Sequence, residues 1–567
     1  MTRKWLIAKK ISEEFKAQFP EINQIILQLL FNRGLKTQED IDEFLNPDYG
    51  QDIHDPFLFS HMDQAVTRIF QAIEKKEKIT VHGDYDADGV CASVILVTTL
   101  KELGAEADVY IPHRMSEGYG LNKNTVEELS KNGTQLIITV DCGISSVDEV
   151  ILASKKGIDV IITDHHEQQP DLPQALAIIN PQVKDNKYPF HSLSGSGVAF
   201  KLVQGLIRKD KGARIKKGFE KWLLDLVAIG TIGDCVPLTG ENRSLVKYGM
   251  VVLRKTKHLG LQELVKSTRF SLDKIDTVSI SFGIVPRLNA AGRIDHANTA
   301  YKLLITKDKI EAQEVAQQLD KTNQERQRVT EKIVEASKKQ IGEVGMQKIL
   351  FASGKDWIVG VVGLVAGRLT DLYARPVIIM GEKKNEVVGS GRSIPVFDIT
   401  HALIESRDLL ERFGGHALAC GFTVKPSKLE SFKKKMNELA NLKIKEKDMV
   451  KRIIVDCEIK LDQADWDLIE ILDGFEPFGE GNRMPSFNIN NLEVVDLQKV
   501  GKDNKHLRLV VKQGNTTRKV IAFGFGEPWG DQLKIGDDID IIFELSVNEW
   551  NGHRELQLKL VDIKISK

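Results

Sequence analysis

Apolar runs and polar stretches alternate along this chain so as to divide it into five segments. Residues 1–45 read as a short helical lead-in. From 46 to 305, short continuous apolar runs alternate with longer helical stretches, as expected of an α/β domain with a mainly parallel sheet. Three of these runs are Lys78-Ile79-Thr80-Val81, Leu136-Ile137-Ile138-Thr139-Val140 and Val160-Ile161-Ile162-Thr163. Residues 306–345 are rich in Glu, Gln, Lys and Arg with a sparse apolar stripe, which predicts a connecting helix over roughly 308–342. A second α/β unit occupies 346–448. It has strand-like runs at Lys348-Ile349-Leu350-Phe351 and Pro376-Val377-Ile378-Ile379-Met380, a Gly/Val-rich helix from about 360, and a hairpin-like run bearing a Gly-flanked loop at 389–393. Residues 449–567 are β-rich, with runs such as Leu507-Arg508-Leu509-Val510-Val511 and Ile539-Asp540-Ile541-Ile542-Phe543 between turn residues. They predict a small barrel of about a hundred residues.

Length changes this picture little: 567 residues exceed a single core, so roughly two to four domains are expected. The chain is 42% hydrophobic and 28% charged, and no stretch of eighteen apolar residues marks a transmembrane helix. The N-terminus lacks the apolar core of a signal peptide. Five scattered cysteines without a C-x-x-C pair point to a reducing cytoplasm. A net charge of −1 favours no partner, so any nucleic-acid surface must be a local basic groove.

The chemistry lies where the three apolar runs end. His82, Asp84, Asp86 and Asp88 fall within seven residues, directly after the first run. Asp141 follows the second run, and Asp164-His165-His166 the third. Carboxylates packed this closely repel one another, and cations relieve that repulsion. Hard oxygens plus imidazole suit Mn²⁺ or Mg²⁺ better than a thiolate metal. His82, Asp86 and Asp88 can serve a pair of ions from one strand-to-helix loop, Asp141 can bridge them, and His165 can complete one. Two ions about 3.5–4 Å apart suit in-line attack of water on phosphorus. An EF-hand is excluded by the missing Glu at its twelfth position.

The strings His82-Gly83-Asp84-Tyr85-Asp86-Ala87-Asp88-Gly89, Val140-Asp141-Cys142-Gly143 and Thr163-Asp164-His165-His166 resemble the DHH phosphoesterase superfamily. Within it they resemble the RecJ-type single-strand-specific 5′→3′ DNA exonucleases. Gly230-Thr231-Ile232-Gly233-Asp234, Pro286-Arg287-Leu288-Asn289-Ala290-Ala291-Gly292-Arg293 and Gly414-Gly415-His416-Ala417 extend the likeness over nearly the whole chain. The resemblance implies a DHH catalytic domain, a DHH-associated α/β domain and a C-terminal OB-fold barrel. It implies that His82 and Asp86 hold one ion, that Asp88, His165 and Asp234 hold the other, and that Asp141 lies between. His166 would face the scissile phosphate or support the ligands, and Asp84 and Asp164 would be supporting or turn carboxylates.

In the same reading Arg114, Ser390 and Arg392 meet the 5′ end of the strand, and His416 approaches the nucleotide being cleaved. Arg287, Asn289 and Arg293 line the path or brace the domain junction. The barrel would grip single strands through Lys499, Lys502, Lys505, His506, Arg508, Lys512, Arg518 and Lys519, with Phe523, Phe525, Trp529 and Trp550 nearby. The implied protein is a cytoplasmic monomer that releases mononucleotides in DNA repair and recombination. It would bind single-stranded DNA, a single-strand-binding protein and a RecQ-type helicase, and no membrane. Two rival readings share the motifs. One is a small-substrate phosphodiesterase or oligoribonuclease, which would not need the barrel. The other is a non-catalytic strand-binding scaffold, against which the complete ligand set argues.

Overall fold

The computed structural model describes residues 3–566 apart from Met115, Asp185, Asp295 and Asn551; the side chain of Trp550 also lies outside the described set. The chain forms two compact units. One is built from His54–Asp234 and Tyr248–Lys451, the other from Lys4–Ile53, Cys235–Lys247 and Arg452–Lys567. The expected helical lead-in opens instead on a strand, β1 (Lys4–Ile7), before its short helices Glu13–Gln18, Gln24–Asn32 and Gln38–Leu45.

The first unit contains a five-stranded sheet of β2 (Ile79–Gly83), β3 (Ala107–Tyr110), β4 (Leu136–Val140), β5 (Asp159–Thr163) and β6 (Ala177–Ile179). All pairings are parallel, in the order β3-β2-β4-β5-β6. β2 and β4 are buried at every position, because helices cover both faces of such a sheet. Register aligns Gly83 with Val140, and Val140 with Thr163, so the turns after β2, β4 and β5 emerge together at the carboxyl end of the sheet. Helices α1 (Ala87–Glu102), α2 (Gly195–Asp210) and α3 (Leu224–Gly233) pack there. α1 and α3 are apolar nearly all round, as enclosed helices must be.

After α4 (Val285–Ile294), the long helix α5 (Lys309–Ile341) occupies the segment in which a connector is expected. Its N-cap Asp308 accepts the Glu311 N–H, and its buried stripe includes Ala312, Val315, Leu319, Asn323 and Ile333. A second sheet follows in the same unit, ordered β10-β11-β9-β8-β7. Its strands are β7 (Leu350–Lys355), β8 (Val377–Glu382), β9 (Val387–Arg392), β10 (Leu410–His416) and β11 (Ala419–Val424). Only β7 and β8 are parallel, and helix α6 (Val359–Tyr373) makes the crossover between them.

In the second unit, β12 (Arg452–Val455) pairs in parallel with β1. The remaining strands are β13 (Cys457–Glu458), β14 (Ser486–Val500), β15 (His506–Gln513), β16 (Thr516–Ala522), β17 (Asp538–Trp550) and β18 (His553–Ile565). A β14–β17 pairing closes this sheet into a barrel. Alternation along β15 turns Leu507, Leu509 and Val511 inward and Arg508 and Lys512 outward. Lead-in residues Ile11, Phe19, Leu29, Leu30 and Phe44 share one core with Phe475, Phe487, Ile541 and Leu558. The N-terminal segment is therefore a structural part of the barrel unit.

Arg243 ties this unit together. Its guanidinium is almost fully buried, lies 4.0 Å from the centre of the Phe44 ring, and donates to the carbonyls of Phe44, Phe475 and Gly474 at 2.8, 2.8 and 2.9 Å. Arg243→Met would leave three carbonyls without these donors. The substitution is expected to lower the stability of the barrel unit by about 3 kcal/mol. Urea unfolding followed by circular dichroism measures this; a midpoint within error of the parent would show that the contacts do not support the fold.

Candidate metal centre

Each acidic residue of the site is placed by an identifiable local device. Asp86 is the N-cap of α1: its Oδ1 accepts the N–H groups of Asp88 and Gly89 at 2.9 and 3.1 Å. Asp88, in the first turn, is buried. Its two carboxylate oxygens accept the Gly195 and Ser196 N–H groups at 2.6 and 2.9 Å, from the start of α2. Asp141 leaves β4 with a left-handed φ of 60°. Asp234 caps the carboxyl end of α3.

Two glycines make room for these groups. A Cβ at Gly195 would stand 2.5 Å from Asp141 Oδ1, and one at Gly230 would stand 2.3 Å from Asp88 Oδ1.

Asp164 is fully buried behind the two histidines. Its Oδ1 accepts the His165 and His166 N–H groups at 2.7 and 3.1 Å and lies 2.7 Å from His166 Nδ1; its Oδ2 accepts the Ile144 N–H at 2.9 Å. Burial pushes this carboxyl up, but the His166 contacts outweigh it and hold the pKa below the usual value. His166 moves the other way, to about 9: burial lowers it, while Asp164 and further carboxylates raise it more. Asp164 therefore orients the histidine turn instead of joining the ligand groups.

Three sets of ligand-type atoms converge, each within 4.8 Å: Asp88 with His165 and Asp234; Asp84 with Asp86 and Asp141; and Asp141 with His165 and His166. His165 Nε2 stands 3.1 Å from Asp141 Oδ1 and 3.5 Å from Asp234 Oδ2, yet forms no hydrogen bond. Burial and then neighbouring carboxylates push Asp84 and Asp141 well up, Asp88 to about 6 and Asp234 to about 8. Burial takes His82 and His165 down to about 4.

Such a cluster must take up protons or cations. The donor set fits cations: His82 Nε2, Asp84 Oδ1 and His165 Nε2 are buried ligand atoms without hydrogen-bond partners. The hard oxygen and imidazole set matches Mn²⁺ or Mg²⁺.

His82 sits on β2 under Tyr110, with ring centroids 5.6 Å apart and Cys142 Sγ 3.6 Å from its Nδ1; it lies outside the three converging sets. Asp84, expected only in support, lies inside one. Sequence reasoning missed Tyr119. Its hydroxyl donates to the Asp141 carbonyl at 3.1 Å and lies 3.0 Å from His166 Nδ1. The only signal for it was its place between two glycines.

Arg114 lies in a turn, 4.8 Å over the Tyr85 ring. Ser390 and Arg392 are on strand β9, not in the expected loop. Arg392 Nη1 donates to Ser390 Oγ at 3.2 Å, and Ser390 Oγ donates to the Cys420 carbonyl at 2.9 Å. Asn289 Oδ1 accepts the Ala87 N–H at 2.7 Å, bracing the start of α1. Arg287 is paired with Asp320 at 2.7 Å. Arg293 donates to the Gly360 carbonyl at 3.1 Å and is lowered to about 10, by burial first and then by the charges of Arg114 and Arg326. His416 is exposed at the end of β10. In the barrel, Phe523 is 57% exposed, whereas Phe525 and Trp529 pack against the core. Lys499 and Lys519 are paired with Asp531 and Glu555.

Residues 78–231 match the DHH family N-terminal domain, 346–442 the DHHA1 domain and 455–562 the RecJ OB domain. The single-stranded-DNA-specific exonuclease RecJ of Bacillus subtilis is 37% identical over 100% of this chain and 71% of its own length. The protein of the same name from Haemophilus influenzae is 32% identical over 95% of this chain and 96% of its own. The crystal structure of RecJ with Mn²⁺ from Thermus thermophilus covers 100% of this chain and 80% of its own, with a TM-score of 0.85 and 28% identity. The corresponding Mg²⁺ complex gives a TM-score of 0.78 and 26% identity.

A divalent ion that binds only the folded chain raises its stability by about 2.7 kcal/mol at a hundredfold excess over Kd. Mn²⁺ is therefore expected to raise the unfolding temperature, and EDTA to reverse the effect. Gly230→Ala, whose Cβ would collide with Asp88 Oδ1 and Ser196 Oγ, should cost about 1–3 kcal/mol of stability and, in the folded variant, lose most of the Mn²⁺-induced shift. A full shift in that variant would place the ion elsewhere.

Proposed function

The chain belongs to the RecJ family of single-stranded-DNA-specific exonucleases, and on that premise we propose that it removes mononucleotides from the 5′ end of single-stranded DNA with two divalent cations. The observation that carries this reading is Asp141, which converges with Asp84 and Asp86 and whose Oδ1 also lies 3.1 Å from Nε2 of His165, a member of the Asp88, His165 and Asp234 set. One carboxylate can thus bridge two ions. Asp88, His165 and Asp234 would hold one ion; Asp86 and Asp141, with His82 behind them and Asp84 beside them, would hold the other. Ions bound there acidify a coordinated water and offset charge on phosphate oxygens.

The chain's own residues set the position of the cut. Water attacks the phosphorus between the first and second nucleotides, the P–O3′ bond breaks, and the first nucleotide leaves with its own 5′-phosphate. The shortened strand then begins with a new 5′-phosphate, so each cycle recreates the group that was bound. Arg392 and Ser390, with Arg114, would bind that terminal phosphate; a guanidinium does so with more directionality than an ammonium. His166, fixed by Asp164 and Tyr119, would donate to an oxygen of the scissile phosphate. Arg293 and Asn289 brace the elements that carry these groups. His416 would approach the departing nucleotide.

The barrel would hold the strand by its phosphates, with a base stacked on exposed Phe523, and would read no sequence. The reading extends to a cytoplasmic monomer acting in repair and recombination, supported by the scattered cysteines and the family likeness. The same likeness is the support for a single-strand-binding protein and a RecQ-type helicase as partners. Among the described residues, no helix is long and apolar enough to cross a membrane.

The test uses strands labelled at either end, with Mn²⁺, and a double-mutant cycle of Arg392→Ala against removal of the 5′-phosphate. Degradation should begin at the 5′ end, and Asp141→Ala should abolish it in a folded chain. Arg392→Ala should slow 5′-phosphorylated strands about a hundredfold, by roughly 2.7 kcal/mol, and 5′-hydroxyl strands much less. Fully additive effects would remove Arg392 from the terminal phosphate. Attack from the 3′ end would overturn the polarity.

A further inference from the structure

The second sheet of the first unit carries a bay of about 810 Å³ whose lining includes Lys355, Trp357, Glu382, Lys383, Lys384 and Leu429. It lies at the carboxyl ends of β7 and β8, away from the residues proposed to bind the strand end. Val377 pairs with Arg392, whereas Glu382 pairs with Val387. Five residues of strand separate Arg392 from Val387 and three separate Ser390 from it, distances of ~17 and ~10 Å.

The bay is a built feature. A Cβ at Gly354 would stand 2.3 Å from Trp357 Cε2 and Nε1, and one at Gly381 would stand 2.5 Å from the Trp357 carbonyl oxygen. The indole is thus seated directly on the backbone of β7. Lys383 is paired with Glu386 at 2.9 Å. The side chains of Lys355, Lys384 and Glu382 make no hydrogen bond or ion pair among the described residues. One wall is therefore aromatic, and the rim offers two uncommitted ammonium groups, on Lys355 and Lys384, and two uncommitted carboxylates, on Asp356 and Glu382.

The topology gives these groups a chemical meaning. β7, α6 and β8 form a parallel β-α-β unit. Ligands of such units bind outside the carboxyl ends of the strands, and an acidic residue ending the second strand is placed to accept ribose hydroxyls. Glu382 ends β8. The volume lies within the range of small-molecule sites. We propose that this bay binds a ribonucleoside phosphate, with its base on Trp357, its ribose diol on Glu382 and its phosphates at Lys355 and Lys384. The site is separate from the metal centre, so the proposal does not depend on the strand-cleaving reading.

Equilibrium dialysis of labelled ADP against the full-length chain tests it, in the parent and in Lys384→Glu, Trp357→Leu, Glu382→Gln and Asp141→Ala. One ADP should bind per chain, with unchanged affinity in Asp141→Ala. Lys384→Glu and Trp357→Leu should each weaken binding about tenfold or more. Lys384 is exposed, so its variant keeps the test valid if Trp357→Leu fails to fold. Deoxy-ADP should bind about tenfold more weakly than ADP to the parent and equally to Glu382→Gln. The proposal is overturned by absence of binding at ~1 mM ADP, by binding that both bay variants leave intact, or by loss of binding in Asp141→Ala. Equal affinity for deoxy-ADP and ADP in the parent would overturn the ribose assignment. Displacement of ADP by an oligo-dT strand would give the bay to DNA and overturn the proposal too.

Discussion

Repulsion among Asp84, Asp86, Asp88, Asp141 and Asp234 is the constraint around which the first unit is arranged. Burial raises the affinity of Asp84, Asp88, Asp141 and Asp234 for a proton, and neighbouring carboxylates raise it further. Two like charges 4 Å apart repel by about 4 kcal/mol at an effective dielectric of 20. The backbone N–H groups aimed at Asp86 and Asp88 return about 1.5–3 kcal/mol each. They cannot offset several such repulsions, and cations can. The closeness of the carboxylates is thus a cost in stability that bound protons or cations relieve, and the buried ligand atoms left without hydrogen-bond partners fit cations.

Around this centre the scaffold is rigid where it needs to be. Helices α2 and α3 approach the carboxylates closely because glycine stands at 195 and 230. Helix α4 is a strut with three attachments. Arg287 binds Asp320 on α5, Asn289 holds the Ala87 N–H at the start of α1, and Arg293 holds the Gly360 carbonyl on α6. One helix therefore fixes the ligand-bearing loop relative to the sheet that carries Ser390 and Arg392. Misplacement by 1 Å is enough to cost about a hundredfold in rate.

The sequence made legible what depends on local pattern. Parallel strands buried on both faces read as unbroken apolar runs, so the turns after β2, β4 and β5 and their ligand-type side chains are legible. Asp234 carries no such signal, because an Asp at a helix end is more often a cap; only the family motif identified it. Ser390 and Arg392 read as a loop because glycines flank them, but in the sheet those glycines fit under the ring of Phe422 and the side chain of Ile399. The β1–β12 pairing joins residues some 450 positions apart, which no local pattern can reveal. For the same reason the lead-in did not read as part of the barrel core. Tyr119 acts through its distant partners His166 and Asp141 and was equally hidden.

If the acidic cluster serves cations as proposed, two of them share Asp141. Electron paramagnetic resonance of the full-length chain titrated with Mn²⁺ tests it most directly. Two Mn²⁺ per chain with an exchange-coupled spectrum are expected, reduced to uncoupled or absent Mn²⁺ in Asp141→Ala. A single uncoupled Mn²⁺ in the parent chain, or a coupled pair that survives Asp141→Ala, would contradict it.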